Sequence, residues 1–154
     1  MLTLDPARFP EDRDRVVDLF REYQRSLGVD LCFQGFDTEV AGLPGYYAPP
    51  EGRLILAWSA GEAVGCIALR RHDGDAGEMK RLYVRPSARG LSVGRSLVMA
   101  IVDEARAIGY RRLCLDTLPE MVAAQALYER LGFRPIAAYT FNPVAGARYL
   151  GLTL

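Results

Sequence analysis

Val16, Val17, Phe20, Tyr23 and Leu27 recur three or four positions apart. That spacing puts apolar side chains on one stripe of an α-helix. Pro10 with Glu11, Asp12 and Asp14 marks its start, and Gly28 ends it. A second stripe carries Val93, Leu97, Val98, Ile101, Val102, Ala105 and Ile108, while Arg95, Asp103, Glu104 and Arg106 lie elsewhere. It predicts an amphipathic helix over Val93 to Ile108 that Gly109 stops. A short helix is expected over Phe36 to Leu43, and another opened by Pro119 and closed by Gly132.

Elsewhere the pattern is that of strands. Met1 to Leu4 is short and apolar. Arg53 to Ser59 and Ala63 to Arg70 are rich in apolar and β-branched residues and are joined by Ala60-Gly61-Glu62, a hairpin signature. The turn residues Asp73 to Gly77 lead into a third strand, Glu78 to Val84, which completes an antiparallel meander. Arg112 to Thr117 follows the second amphipathic helix. Strand, helix, strand in that order implies a right-handed crossover and a parallel pair. The tail, Arg134 to Leu154, reads as two strands around the turn Asn142 to Gly146. The expected fold class is α/β with α+β character: one mixed, mostly antiparallel sheet covered by about four helices, in a single unit over residues 1–154.

Composition narrows the function classes. Half of the 154 residues are hydrophobic and a quarter charged, and 19 Lys plus Arg balance 19 Asp plus Glu. A neutral chain lacks the basic footprint of a general nucleic-acid binder. Cys32, Cys66 and Cys114 are scattered and odd in number, which argues against a disulfide framework and a zinc site. Cys66 and Cys114 sit in apolar runs and read as core thiols. No apolar run approaches the roughly 20 residues of a membrane span, and Met1 to Pro10 has no signal-peptide pattern. A cytoplasmic protein with no metal, nucleic-acid or membrane partner is expected. Exposed strand edges near the C-terminus suit a homodimer.

The segment Arg89-Gly90-Leu91-Ser92-Val93-Gly94-Arg95-Ser96 joins a strand to an amphipathic helix. The first turn of a helix has unpaired N–H groups and partial positive charge. Glycines let a ligand approach the backbone, and arginines donate to phosphate. These features together suit a pyrophosphate, although a plain strand-to-helix turn with surface arginines has the same residues. Gly94 is followed by Arg95 and no G-x-G-x-x-G is present, so neither a P-loop nor a dinucleotide-binding fingerprint is met.

Leu82-Tyr83-Val84-Arg85-Pro86 followed by Arg89-Gly90-x-x-x-Gly94-Arg95-x-Leu97 resembles the first signature of the GNAT N-acetyltransferase superfamily. Ala124-x-x-Leu127-Tyr128-Glu129-x-Leu131-Gly132-Phe133 resembles its second. The order of elements is similar over essentially the whole chain. The resemblance implies a splayed parallel strand pair that holds acetyl-CoA, and transfer of the acetyl group to the primary amine of a small molecule. The backbone of Leu82, Tyr83 and Val84 would pair with the pantetheine arm and acetyl carbonyl. The N–H groups from Leu91 to Ser96 would hold the pyrophosphate, with Arg89 and Arg95 as side-chain partners. Ser92 stands where the family commonly has glycine, and Met121 where many relatives have asparagine.

By the same resemblance Tyr128 is the general acid for the departing thiolate, or a residue that only packs against the sulfur. Glu78 is the candidate base, acting through water, or a strand-end carboxylate in a salt bridge. It shares a face with Leu82 unless a bulge intervenes. His72 is a looser alternative. Tyr23, Phe33, Phe36, Tyr46 and Tyr47, with Tyr139, Phe141 and Asn142, either wall the acceptor pocket or cover edges of the core. A protein amine as acceptor, a non-catalytic acyl-CoA-binding module and an unrelated phosphate-binding domain are the competing readings.

Overall fold

The computed structural model describes residues 1–28, 35–90 and 92–154. Seven strands form one sheet: β1 (Leu2–Pro6), β2 (Arg53–Ser59), β3 (Glu62–Asp73), β4 (Ala76–Val84), β5 (Arg112–Thr117), β6 (Arg134–Pro135) and β7 (Arg148–Thr153). Their order is β1-β2-β3-β4-β5-β7-β6. Every neighbouring pair is antiparallel except β4 and β5. Among the described residues four α-helices accompany them: α1 (Arg13–Leu27), α2 (Phe36–Ala41), α3 (Val93–Ile108) and α4 (Val122–Arg130). The mixed α/β architecture is the expected one. Among the described residues no helix is long and apolar enough to cross a membrane.

The sheet separates two apolar clusters. On one face α3 buries Val93, Leu97, Val98, Ile101, Val102 and Ala105 against Ile67 and Leu69 of β3 and Leu113 and Leu115 of β5. On the other, α1 and α2 bury Val16, Leu19, Phe20, Phe36 and Val40 against Cys66 and Ala68 of β3. The alternation of strand side chains thus feeds both clusters at once. Gly65 is required by this packing, because a Cβ there would stand 2.9 Å from the Tyr83 carbonyl and 3.2 Å from Leu97.

Parallel pairing of β4 with β5 covers only Ala76 to Glu78 against Arg112 to Cys114. Beyond that rung the two strands part. A bulge lies just past the split: β3 advances two residues from Ala68 to Cys66 while β4 advances three, from Lys80 to Tyr83. Arg81 takes the extra place with φ of 62°, a conformation unusual for a residue with a Cβ. Its guanidinium donates two bonds to Glu39 of α2, at 2.8 and 2.9 Å, and lies over the rings of Tyr23 and Phe36. A similar clamp joins Arg85 to Glu22 of α1 at 2.9 Å.

Several boundaries differ from expectation. β3 and β4 extend toward their shared turn, where Asp73 pairs with Ala76. Pro119 does not open a helix: Leu118 to Met121 form a turn closed by Met121 N–H to Leu118 O, and α4 begins at Val122. The first arm of the expected C-terminal hairpin is reduced to Arg134–Pro135. Side chains hold the connection instead, through Tyr149 Oη–H to Thr140 O at 2.7 Å and Asn142 Nδ2–H to Asp116 at 3.1 Å.

Replacing Arg81 by alanine should lower the unfolding free energy by about 3–5 kcal/mol, because it leaves the Glu39 carboxylate without its buried partner. Urea denaturation measures it. A loss below about 1 kcal/mol would show that Glu39 is satisfied without the clamp.

Candidate active site

The fork between β4 and β5 opens into two adjoining spaces. The larger is a cleft of about 850 Å³. Leu82, Tyr83 and Val84 form one wall, Ala124 and Leu127 of α4 with Leu131 just past it the other, and the start of α3 its end. The smaller, about 30 Å³, lies deeper in the fork between Met79 to Leu82 of β4 and Leu115 to Leu118 at the end of β5. Tyr128, Tyr23, Leu27, Met121 and Asn142 also line it.

Nine of the eleven residues expected to hold the coenzyme border the cleft: Leu82, Tyr83, Val84, Arg89, Gly90, Ser92, Val93, Gly94 and Arg95. Leu91 lies outside the described residues, as do Phe33 and Cys32. Ser96 is not on the wall, and its N–H is already bonded to Ser92 O at 3.0 Å. Ser92 does adopt the left-handed conformation that favours glycine, with φ of 61°. Among the described residues no side chain caps the helix start, at the end of the cleft. At Gly94 an added Cβ would find only ordinary contacts, 3.7 Å to Leu127 and 3.8 Å to Val84. The protein's own packing therefore does not demand glycine there. Arg130 of α4 also borders the cleft, a third arginine, at a place that the second signature leaves unspecified. The cleft's volume, open helix N-terminus and arginines fit a pantetheine arm ending in phosphates.

Tyr128 is buried beside Phe133. Burial first, then the nearby Tyr23 and Asp116, push its phenol well above the usual range. The group therefore keeps its proton through neutral pH, as a general acid must. Met121 turns its thioether toward Thr117 Oγ1, 3.7 Å away.

Glu78 borders neither space. It belongs to the last closed rung of the parallel pair, opposite Cys114. Its carboxylate accepts the Tyr139 hydroxyl at 2.8 Å and stands 3.8 Å from Lys80 Nζ. The bulge at Arg81 also breaks the expected parity. Leu82 packs with the α3 cluster, whereas Lys80 lies one even step from Glu78 before the bulge, and Tyr83 beyond it packs with the α1 cluster. Glu78 and Leu82 thus sit on opposite faces. Burial holds the Lys80 ammonium below its usual range, with Arg81 adding to the effect. His72 stacks edge-on against Tyr139, with ring centres 4.7 Å apart.

The aromatic residues divide. Tyr23 and Asn142 wall the smaller space. Phe36 and Tyr47 are core, packed on Phe20. Tyr46 and Phe141 are exposed, with Tyr46 under the Arg70 guanidinium. Asp116, absent from the sequence-level candidates, is on the chamber wall. A signal was present in β5: Leu113 and Leu115 alternate with Cys114 and Asp116, so the carboxylate faces away from the α3 cluster.

Cys66 and Cys114 are buried free thiols. Burial foremost pushes Cys66 up to about 12 and Cys114 up to about 11, from an ordinary 9.0. Groups that hold protons more tightly when folded stabilise fully below the unfolded value, and that stabilisation disappears as pH rises through the folded one. The melting temperature should therefore fall between about pH 9 and 12. Cys66→Ala should make the fall shallower in a thermal-melt series. An unchanged slope would remove the thiol from the cause.

The Acetyltransferase (GNAT) family model matches residues 14–133. An uncharacterized N-acetyltransferase of Schizosaccharomyces pombe is 37% identical over 99% of this chain and 95% of its own. An IAA acetyltransferase of Azospirillum brasilense is 37% identical over 90% of this chain and 92% of its own. A crystal structure of a Staphylococcus aureus acetyltransferase of the GNAT family superposes with a TM-score of 0.83 at 19% identity, covering 99% of each chain.

Proposed function

The chain belongs to the GNAT acetyltransferase family, and on that premise we propose that it acetylates the primary amine of a small molecule at the β4–β5 fork, with Tyr128 as general acid. The observation that carries this reading is the fork itself: a cleft with an uncapped helix N-terminus at one end runs into a small chamber closed by a buried phenol. Acetyl-CoA is the donor that the family uses. Its pyrophosphate would meet the N–H groups of Val93, Gly94 and Arg95, with Arg89 and Arg95 beside them. Its pantetheine arm would lie along Leu82 to Val84, where β4 has lost its partner strand. An N–H of that edge would stabilise the oxyanion formed on attack.

The chamber's walls favour a slender acceptor that enters past Tyr23 and Asn142. Attack by the neutral amine forms the C–N bond. The C–S bond then breaks, its electron pair goes to sulfur, and the Tyr128 hydroxyl supplies the proton. Glu78, the base implied by resemblance, would have to act at a distance, through Tyr139 or water. Residues 1–154 would work as one catalytic unit, in a reducing cytoplasm where the buried thiols persist.

Tyr128→Phe should leave acetyl-CoA affinity intact and lower kcat about tenfold or more, read by calorimetry and by thiol release. An unchanged kcat would end the general-acid role. Gly94→Asp should leave the melting temperature near wild type, since the Cβ has room, while weakening acetyl-CoA at least about tenfold by charge beside pyrophosphate. Equal affinity would put the phosphates elsewhere.

A further inference from the structure

We propose that Glu78 is a positioning residue for the acceptor: through Tyr139 it seats the segment 136–147, and with it Asn142, against the inner chamber. This rests on the reading of that chamber as the acceptor's place. Three observations carry it.

The first is how little backbone holds the segment. Between β6 and β7 the chain runs in no helix or strand. Ile136 N–H still donates to Tyr149 O at 2.9 Å, but among the described residues no backbone-to-backbone hydrogen bond joins 137–146 to another element. Side chains place it instead. Tyr149 Oη–H reaches Thr140 O at 2.7 Å, Tyr139 Oη–H reaches Glu78 at 2.8 Å, and Asn142 Nδ2–H reaches Asp116 at 3.1 Å. Within 136–146 only Tyr139, Asn142 and Val144 are not exposed. A segment held at so few points is ordered only as well as those points are.

The second is what stands behind the Tyr139 tie. Glu78 is buried on the last closed rung of the parallel pair, opposite Cys114. Its carboxylate also stands 3.8 Å from the Lys80 ammonium. The Tyr139 ring is flanked by His72 and Tyr149, with centres 4.7 and 5.4 Å away. Burial first, then Glu78, push the Tyr139 phenol well above its usual range, so it remains the donor. The tie therefore joins a closed part of the sheet to a segment that has little else to hold it.

The third is what the segment carries. Asn142, three residues after Tyr139, lines the inner chamber. Its amide is fixed at both ends, because Oδ1 accepts Val144 N–H at 3.0 Å. Further on, Gly146 lies against Pro119, where an added Cβ would stand 2.9 Å from the ring. Pro119 belongs to the turn that supplies Leu118 and Met121 to the same chamber. The segment is thus a chamber wall anchored on Glu78, whereas none of it borders the larger cleft. Glu78 borders neither space, so its influence on the acceptor passes through Tyr139. A loosened wall must be ordered each time the acceptor binds, which weakens acceptor binding and leaves the donor site as it was.

The test uses the whole chain, acetyl-CoA, and four primary amines: benzylamine, putrescine, glycinamide and lysine. Thiol release is followed with whichever amine the wild type turns over fastest. Tyr139→Phe keeps the ring and removes only the hydroxyl. It should raise the acceptor KM about tenfold, leave kcat within about twofold, and bind acetyl-CoA like wild type. Glu78→Ala should do the same. The two together should be no worse than the worse single change, because they break one tie. Glu78→Gln should recover most of the KM, since its amide oxygen still accepts the Tyr139 hydroxyl, and should keep the alkaline-rising limb of the pH–rate profile.

Tyr139→Phe with wild-type KM overturns the inference while the donor reading stands. So does a Glu78→Gln enzyme that loses kcat and the alkaline limb together, which is the mark of a base. Losses that multiply in the double variant give the two residues separate roles and overturn it as well. Should Glu78→Ala not fold, Tyr139→Phe and Glu78→Gln decide. A wild type that binds no acetyl-CoA, or acetylates none of the four amines, ends the reading on which the inference rests, and the inference with it.

Discussion

β4 holds one residue more than its partner β3 can match, and Arg81 occupies the surplus place in a left-handed conformation. The position is unfavourable for a residue with a side chain, and something must hold it. Glu39 does so with two short bonds, while Tyr23 and Phe36 present their ring faces to the same guanidinium. The clamp is supplied by α1 and α2, elements far away in sequence. With it in place, the strand bends just beyond the rung where it leaves β5. An unpaired strand edge is normally a liability; here it is enclosed by α4 and the start of α3.

The same bulge sorts the chemistry. Before it, Glu78 and Lys80 are tied to one another and to Tyr139 in a closed part of the sheet. Beyond it, Leu82 to Val84 run along the cleft. Two titratable side chains on one chamber wall have different surroundings. Tyr128 has a buried, apolar setting that keeps its proton on, and Asp116 a half-exposed one anchored by a single amide.

Much of the fold was legible because it rests on local periodicity. β2, α3 and β5 have the bounds that their patterns imply, since each is a local apolar run or a helical stripe. The nine cleft residues were legible because backbone and glycine positions in a loop follow from short motifs. What escaped depends on distant partners. Nothing in Lys80-Arg81-Leu82 marks a bulge, because the clamp is Glu39. Pro119 has the look of a helix start, yet the chain needs three further residues to turn away from β5. Phe36 and Tyr47 resemble pocket aromatics but complete the core around Phe20. Asp116 was passed over because a carboxylate at a strand end has no motif. Only the length of the closed strand pair sets it apart from Glu78.

The two apolar clusters share a sheet but no side chains. One cluster supports α3 and the phosphate end of the cleft. The other carries α1, whose Tyr23 and Leu27 line the inner chamber. Changes at well-separated sites with no shared partners add nearly independently. The two clusters meet at the fork, where Tyr23 and Tyr83 come from one and Leu82 and Tyr128 from the other, so a change deep in either face leaves the other's packing as it is, while a change at the fork is felt by both.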